Sequence, residues 1–160
     1  DYTLTRLSES SLRFLEQLPL NLSLHDAYFV HGFWPDSVRH YLHQISSSEL
    51  LGAFKKIEET CCFVGHTHRF RLYFPEQADV GTRSLDAGVH PLEPDLKYMI
   101  NAGSVGQPRD KDTRAGYLIW DDQTQQLEVR RVVYDHFKAT ARIKKAGLPV
   151  KYAHVVCPEI

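Results

Sequence analysis

The feature that most constrains the fold of this 160-residue sequence is the alternation of short apolar runs with segments of helical spacing. The apolar runs, such as AYFV (27–30) and CCFV (61–64), have the length of buried strands. None approaches the roughly 20 apolar residues that a membrane-spanning helix needs. Alternating strands and helices favour an α/β or α+β arrangement, and a chain of this length suffices for one ordinary domain.

The predicted elements follow from hydrophobic spacing and from the capping and turn residues between them. Helices are predicted over residues 8–18, 37–45, 48–59 and 135–145, and strands over residues 26–30, 60–64, 70–74, 98–101, 116–121 and 127–134. The turn-rich DDQTQQ between the last two strands predicts a β-hairpin. Residues 75–95, with three prolines and two glycines, predict a loop or a weak hairpin, and the residues after Gly147 an irregular tail.

Charge and cysteine content exclude several classes of protein. The 19 basic and 20 acidic side chains are mixed along the chain, so a nucleic-acid-binding patch is not expected. Three cysteines, two of them adjacent, do not suit the disulfide framework of a small secreted protein. No signal-peptide pattern is present, and we therefore expect a cytoplasmic protein that does not bind membranes.

Histidines follow two of the predicted strands, and each is accompanied by a glycine. In CCFVGHTHRF (61–70) a strand ends at Gly65, and His66 and His68 come next; His31 ends an earlier apolar run. If the backbone stays extended, His66 and His68 project on one side. Imidazoles at neighbouring strand ends suit Zn, Mn, Fe or Ni. The residues alone leave two interpretations equally open, a metal site and ordinary surface or core histidines.

A second segment of interest is NAGSVG (101–106), which also follows a predicted strand. Its small residues allow the backbone N–H groups to form an anion-binding nest, and Arg109 could reach a phosphate with both guanidinium arms. The alternative is a structural turn in which Arg109 pairs with Asp110 or Asp112. Phe33, Trp34 and Tyr41 could line a cleft near His31, although aromatic residues at such spacing more often belong to a core.

Three segments together resemble a known family. FVHG (29–32), FVGHTH (63–68) and MINAGSVGQPRD (99–110) occur in the order of the C-terminal motifs of the calcineurin-like metallophosphoesterases. The chain is most similar to the bacterial phosphodiesterase-type branch. Its segment VVYDHFKATARIKKAGLP resembles the closing strand and helix of that branch. The resemblance implies a four-layer αββα sandwich, with mixed β-sheets flanked by helices.

The resemblance also implies a dinuclear metal centre that hydrolyses phosphate esters, and the similarity to the phosphodiesterase-type branch implies phosphodiesters. By analogy His31 and His66 serve one ion and His68 serves the other. The ions would be Mn, Fe, Zn or Ni. The glycine-rich segment then lies beside the metals and binds the substrate. The predicted substrate-binding residues are Asn101, Gly103, Ser104 and Arg109.

Three further motifs of the family have no counterpart here. The sequence contains no Asp-x-His, no Gly-Asp and no Gly-Asn-His, which would supply the carboxylate that bridges the metals. We therefore expect residues 1–160 to be the C-terminal portion of a single metallophosphoesterase domain, completed by residues upstream of Asp1 or by a partner chain. Alone it should hold metal partially or not at all and be inactive; no catalytic residue is assigned. The alternative function is a non-catalytic protein-binding scaffold of the same fold.

Overall fold

The computed structural model describes residues 2–158, which form helices and strands in alternation. The helices are α1 (Glu9–Glu16), α2 (Ser47–Lys56), α3 (His136–Lys145) and α4 (Val150–Val156), and a single 3-10 turn spans Leu42–Gln44. The strands are β1 (Asn21–Leu24), β2 (Ala27–Val30), β3 (Cys61–Val64), β4 (Phe70–Glu76), β5 (Asp79–Ser84), β6 (Gly88–Pro91), β7 (Tyr98–Ala102), β8 (Ala115–Asp121) and β9 (Gln126–Val132).

Two sheets organise these strands. The larger has six strands in the order β1-β2-β3-β7-β4-β5, with β2, β3 and β7 mutually parallel and the other pairs antiparallel. The smaller has the order β6-β9-β8 and is antiparallel throughout the described residues, where a mixed sheet was expected. The predicted α/β class, with a mixed sheet flanked by helices, is confirmed.

The core consists of two apolar layers, one on each face of the six-stranded sheet. Strand β3 shows why its four residues are all apolar. Cys61 and Phe63 face the smaller sheet, whereas Cys62 and Val64 face helix α2, as the two-residue period of a strand requires. Because both faces are covered, β3 reads as a continuous apolar run, as strands inside parallel sheets do.

Helix α2 covers one face of the larger sheet through its apolar side. Its start is fixed by a capping box, in which the Ser46 hydroxyl accepts from the backbone N–H of Glu49 while the Glu49 carboxylate accepts from that of Ser46. The helix ends at Lys56, three residues before the predicted end, because Ile57 is extended and buried. Within residues 2–158 no helix combines the length and the apolar character that crossing a bilayer demands.

The predicted helix over residues 37–45 is wrong, apart from the short turn Leu42–Gln44. In a helix the carbonyl oxygen of Ser37 would accept from the residue four positions later. Here that oxygen accepts from the backbone N–H groups of Gly32 (2.9 Å) and Phe33 (3.0 Å), closing a loop directly after β2. The apolar spacing was therefore misleading, because the local loop closure took the acceptor that a helix would use.

The two segments predicted to be irregular are more ordered than expected. Within residues 75–95, β5 forms the hairpin with β4 that was one of the two alternatives, and β6 crosses to the smaller sheet. The irregular tail is wrong, since α4 follows α3 as a second helix. Ala153, Val156 and Cys157 are buried at the i, i+3, i+4 spacing of a helix face, a pattern that was present in the sequence.

Candidate metal centre

The carboxyl ends of three parallel strands meet at one edge of the larger sheet. His31 follows β2, Gly65 follows β3, and Asn101 lies near the end of β7. The register pairs Val64 with Asn101, and the backbone N–H of Gly65 donates to the carbonyl oxygen of His31 over 2.8 Å. Segments separated by more than thirty residues are thus brought side by side, as expected for a site in an open α/β sheet.

His31 and His66 are in direct contact at this edge. The Nε2 atom of His31 lies 3.0 Å from the Nδ1 atom of His66, and their ring planes are 72° apart. The ring of Tyr41 stacks on His66 with a centroid distance of 4.0 Å. Although His31 is exposed overall, desolvation of its ring lowers its pKa, and the neighbouring His66 and His68 lower it further. This favours the neutral imidazole, the form that binds metal ions.

The backbone of the Gly-His-Thr-His segment is not extended, so the expected extended geometry is wrong. His66 and His68 have φ angles of 60° and 59°, in the left-handed region. The Nδ1 atom of His68 lies 2.9 Å from the carbonyl oxygen of Gln107. A carbonyl can only accept, so Nδ1 carries the proton and Nε2 keeps its lone pair. Metal-binding histidines are commonly oriented in this way.

Asn101 holds the histidine loop through its side chain, which is 1% exposed. Its Nδ2 donates to the carbonyl oxygen of Gly65 and, over 2.7 Å, to the hydroxyl of Thr67. Its Oδ1 accepts from the backbone N–H of Gly103 over 3.1 Å. The residue therefore links the histidine loop to the glycine-rich segment, while its predicted contact with substrate stays a prediction.

The glycine-rich segment packs against His68 and against the core. Gly103 has a φ angle of 68°, and a Cβ atom there would lie 2.4 Å from the Phe70 ring. The Ser104 hydroxyl accepts from the backbone N–H of Gln107, and the backbone N–H of Arg109 donates to the carbonyl oxygen of His68. Gly103, Ser104 and Arg109 are thus close to the histidines, and their predicted role in binding substrate stays a prediction.

Arg109 is not paired with the acidic residues that follow it, so the ion-pair alternative is wrong. Asp110 pairs with Arg131, and Asp112 with Arg114 at 2.8 Å and Arg131 at 3.7 Å. The hydrogen bond from Arg114 lowers the pKa of Asp112 to about 2. Within residues 2–158 no carboxylate lies within ion-pair distance of Arg109, whose side chain is exposed.

The described residues fit only part of a dinuclear centre. His31 and His66 converge, and His68 presents an unprotonated nitrogen, but these donors are uncharged. Across residues 2–158 no group of three or more His, Cys, Asp or Glu side chains is placed to hold a metal ion. The carboxylate of Asp26 lies at the opposite end of β2 from His31 and is occupied by the backbone N–H and hydroxyl of Thr60. Two divalent ions held by imidazoles alone would repel each other without neutralisation.

Sequence reasoning missed two residues at the same edge, Arg69 and Arg71. They line a cavity beside Thr67 together with Arg109. The signal was present as two arginines spaced by one residue directly after the histidine motif, a spacing that puts them on one face of a strand. Among the aromatic candidates, Phe33 and Trp34 pack partly buried against the apolar layer beneath α2, as the core alternative predicted.

Comparison with known proteins gives one curated relative and two solved structures of interest. No protein-family model matches the chain. An uncharacterized protein of Methanocaldococcus jannaschii is 44% identical over 87 residues, covering 54% of this chain and 34% of that protein. The crystal structure of a metallophosphoesterase from Sphaerobacter thermophilus superposes with a TM-score of 0.84 at 30% identity, covering 98% of this chain and 64% of that one.

The chain has a metallophosphoesterase-type fold. A hypothetical protein of Pyrococcus horikoshii shares the fold, with a TM-score of 0.65 at 19% identity, and the superposition covers 97% of the present chain and 56% of that protein's chain. The chain spans about a third of the curated relative's length and less than two thirds of either solved chain.

Proposed function

We propose that this chain supplies the imidazole half of a dinuclear centre in a metal-dependent phosphoesterase that hydrolyses phosphodiesters. The observation that carries the proposal is the 3.0 Å approach of His31 Nε2 and His66 Nδ1 at the edge where β2 and β3 end. The similarity to a metallophosphoesterase of known structure, at 30% identity over nearly the whole chain, supports the same reaction class.

In this proposal each residue of the chain has a defined task. His31 and His66 hold one ion, and His68 holds the other through Nε2 while Gln107 fixes its ring. Asn101 orients the loop that carries His66 and His68. The Gly103–Ser104 backbone and Arg109 bind the phosphate group. Bound Mn, Fe, Zn or Ni would activate water and neutralise phosphoryl charge.

The remaining ligands, above all a carboxylate between the two ions, come in this proposal from another part of the protein or from a partner chain. The isolated chain is therefore expected to retain one weakly held ion or none and to be inactive. This expectation follows from charge, since the described site offers imidazoles without a carboxylate that is available to an ion.

Metal binding tests the proposal. Mn²⁺ affinity of the purified chain is measured by titration calorimetry, and phosphodiester turnover with bis(p-nitrophenyl) phosphate. His31→Ala and His66→Ala should each abolish whatever Mn²⁺ binding the chain shows. His154→Ala, an exposed histidine on α4, is the matched control and should leave it unchanged. A measurable Mn²⁺ affinity that is the same in all three variants would contradict the assignment of the ligands, and rapid turnover by the isolated chain would contradict the half-site.

The protein-binding scaffold remains a second candidate because of one observation. Helix α1 buries none of its residues, and Phe14, Leu15 and Leu18 are 62%, 49% and 48% exposed. Leu22 on β1 is likewise 51% exposed, and exposed apolar side chains in such number are typical of a region that another polypeptide covers. If the protein is a scaffold, the full-length protein should bind no Mn²⁺ and show no turnover. If it is an enzyme, the full-length protein should bind Mn²⁺ and hydrolyse the phosphodiester.

A further inference from the structure

Arg71 on β4 and Arg69, which directly precedes this strand, lie toward the face of the sheet that carries the histidine loop. Phe70 and Leu72 are buried between the two sheets, so Arg69 and Arg71, which alternate with them, project on the opposite face. The register places Arg71 opposite Asn101 on β7. Both arginines therefore lie beside the edge at which the histidines gather.

These arginines line a cavity of about 310 Å³ together with a third arginine from the glycine-rich segment. Its lining residues are His43, Thr67, Arg69, Arg71, Tyr73 and Arg109. No carboxylate is among them. The same three arginines also line an adjoining cavity of about 560 Å³, whose wall includes the carboxylates Asp86, Asp110 and Asp112. Together the two cavities have the size of a site for a small organic ligand.

The cavity is close to the histidine pair. Thr67 stands between His66 and His68 in the chain and lines the cavity. Tyr41 forms a second link, since its ring lies 4.0 Å from the His66 ring and 5.3 Å from that of His43, at the cavity wall. A ligand that touches His43 in the cavity is thus connected to His66 through the ring contacts of Tyr41 with His43 and with His66.

The wall of the smaller cavity contains three arginines and no acidic residue. None of the five ion pairs within residues 2–158 includes Arg69, Arg71 or Arg109. The carboxylates nearest to Arg109 in sequence are held by Arg131 and Arg114. The protein as a whole has a formal net charge of −1, so this concentration of positive charge is local. Such a cluster attracts an anion, and guanidinium groups match phosphate oxygens in geometry.

The hydroxyl of Tyr73 adds a polar group at the inner end of the cavity. Tyr73 is buried, and burial raises the pKa of its hydroxyl, while the charges of Arg71 and Arg69 oppose that rise. Both arginines therefore lie near this hydroxyl. A neutral tyrosine beside guanidinium groups is a hydrogen-bond donor, which an anion can accept.

We propose that Arg69, Arg71 and Arg109 form an anion subsite beside the histidine pair, which selects phosphate esters that carry a second phosphate group. The scissile phosphate lies at the histidines and the glycine-rich segment, the second phosphate lies at Arg69 and Arg71, and Arg109 is shared between the two phosphates. The choice of substrate class rests on the proposed function. The anion subsite itself does not, since none of its residues is a candidate metal ligand.

Binding of inorganic pyrophosphate, measured by titration calorimetry with EDTA present, tests the subsite without any metal. Arg69→Gln and Arg109→Gln each remove an exposed guanidinium and should weaken pyrophosphate binding about tenfold. The matched control is Arg83→Gln, an exposed arginine on β5 of the same sheet that lies outside both cavities. It should bind pyrophosphate as the unchanged protein does.

The outcomes separate this inference from the proposed function. His66→Ala should lose Mn²⁺ binding and keep pyrophosphate binding, whereas Arg109→Gln should do the reverse. Pyrophosphate binding by the chain, together with no Mn²⁺ binding and no turnover by the full-length protein, would leave the subsite standing and remove the proposed function. Absence of saturable pyrophosphate binding would overturn the subsite. An equal loss in Arg83→Gln and Arg109→Gln would overturn it too, because it would indicate diffuse charge.

Discussion

The histidine loop depends on the buried amide of Asn101, and replacing it should weaken both the fold and metal binding. Asn101→Ala removes the amide N–H group that donates to Gly65 and Thr67, and the amide oxygen that accepts from the backbone N–H of Gly103. A buried polar group left without a partner costs about 1–3 kcal/mol. Three such groups, partly rehydrated by water in the space left behind, predict a loss of about 3–5 kcal/mol in the free energy of unfolding.

Urea unfolding followed by circular dichroism measures this loss. Asn21→Ala is the matched control, because Asn21 is the only other asparagine in the sequence. It lies half-buried on β1, the outermost strand of the larger sheet. Its substitution should change the free energy of unfolding by less than about 0.5 kcal/mol. Asn101→Asp keeps the shape but places a carboxylate against the Gly65 carbonyl oxygen, so it should cost at least as much as Asn101→Ala.

A second readout connects the same substitution to the site. If Asn101 fixes the left-handed loop, Mn²⁺ affinity should fall in Asn101→Ala even at temperatures where the variant is fully folded. The reasoning would be refuted by a destabilisation below about 1 kcal/mol, since the three hydrogen bonds would then be replaceable by water. Unchanged Mn²⁺ affinity would show that the histidines are held independently of the amide.

Two further predictions concern the glycine after His31 and the buried thiols. Gly32→Ala should destabilise the protein by about 2 kcal/mol or more, because its Cβ would lie 2.7 Å from the Ser37 carbonyl oxygen. Gly52→Ala places its Cβ in open space on helix α2 and should stabilise the protein by up to about 1 kcal/mol. Thermal unfolding of both variants checks these values. Burial raises the pKa of Cys61 and Cys62 to about 12, above the ordinary thiol value, so their thiolates are scarce at pH 8. Alkylation by iodoacetamide, followed by mass spectrometry, should be about a thousandfold slower in the native protein than in guanidinium, and comparable rates would contradict the burial.

The strands of the site, and the meeting of their carboxyl ends, could be predicted from the sequence. Each apolar run that ends at a glycine is a strand in the structure, and parallel strands bring their carboxyl ends together. His31 and His66 therefore meet, although they are separated by 35 positions. Local pattern and long-range geometry agree at these residues.

Other features were set by hydrogen bonds that the spacing of apolar residues does not indicate. The left-handed backbone at His66 and His68 accompanies hydrogen bonds from Asn101, which no local pattern contains. The helix predicted over residues 37–45 gave way because Gly32 and Phe33 bind the Ser37 carbonyl. In each case the spacing of apolar residues was consistent with more than one backbone, and tertiary hydrogen bonds decided between them.

The left-handed conformation at residues 66 and 68 also limits which amino acids the chain accepts there. Most side chains adopt positive φ at a cost, and only glycine, asparagine, aspartate and histidine do so readily. Three of these four carry an oxygen or nitrogen that can bind a metal ion. If positions 66 and 68 are randomised and variants are selected only for folding, the folded variants should be enriched in asparagine, aspartate and histidine. The backbone conformation alone therefore favours residues that can bind a metal ion, without any selection for activity.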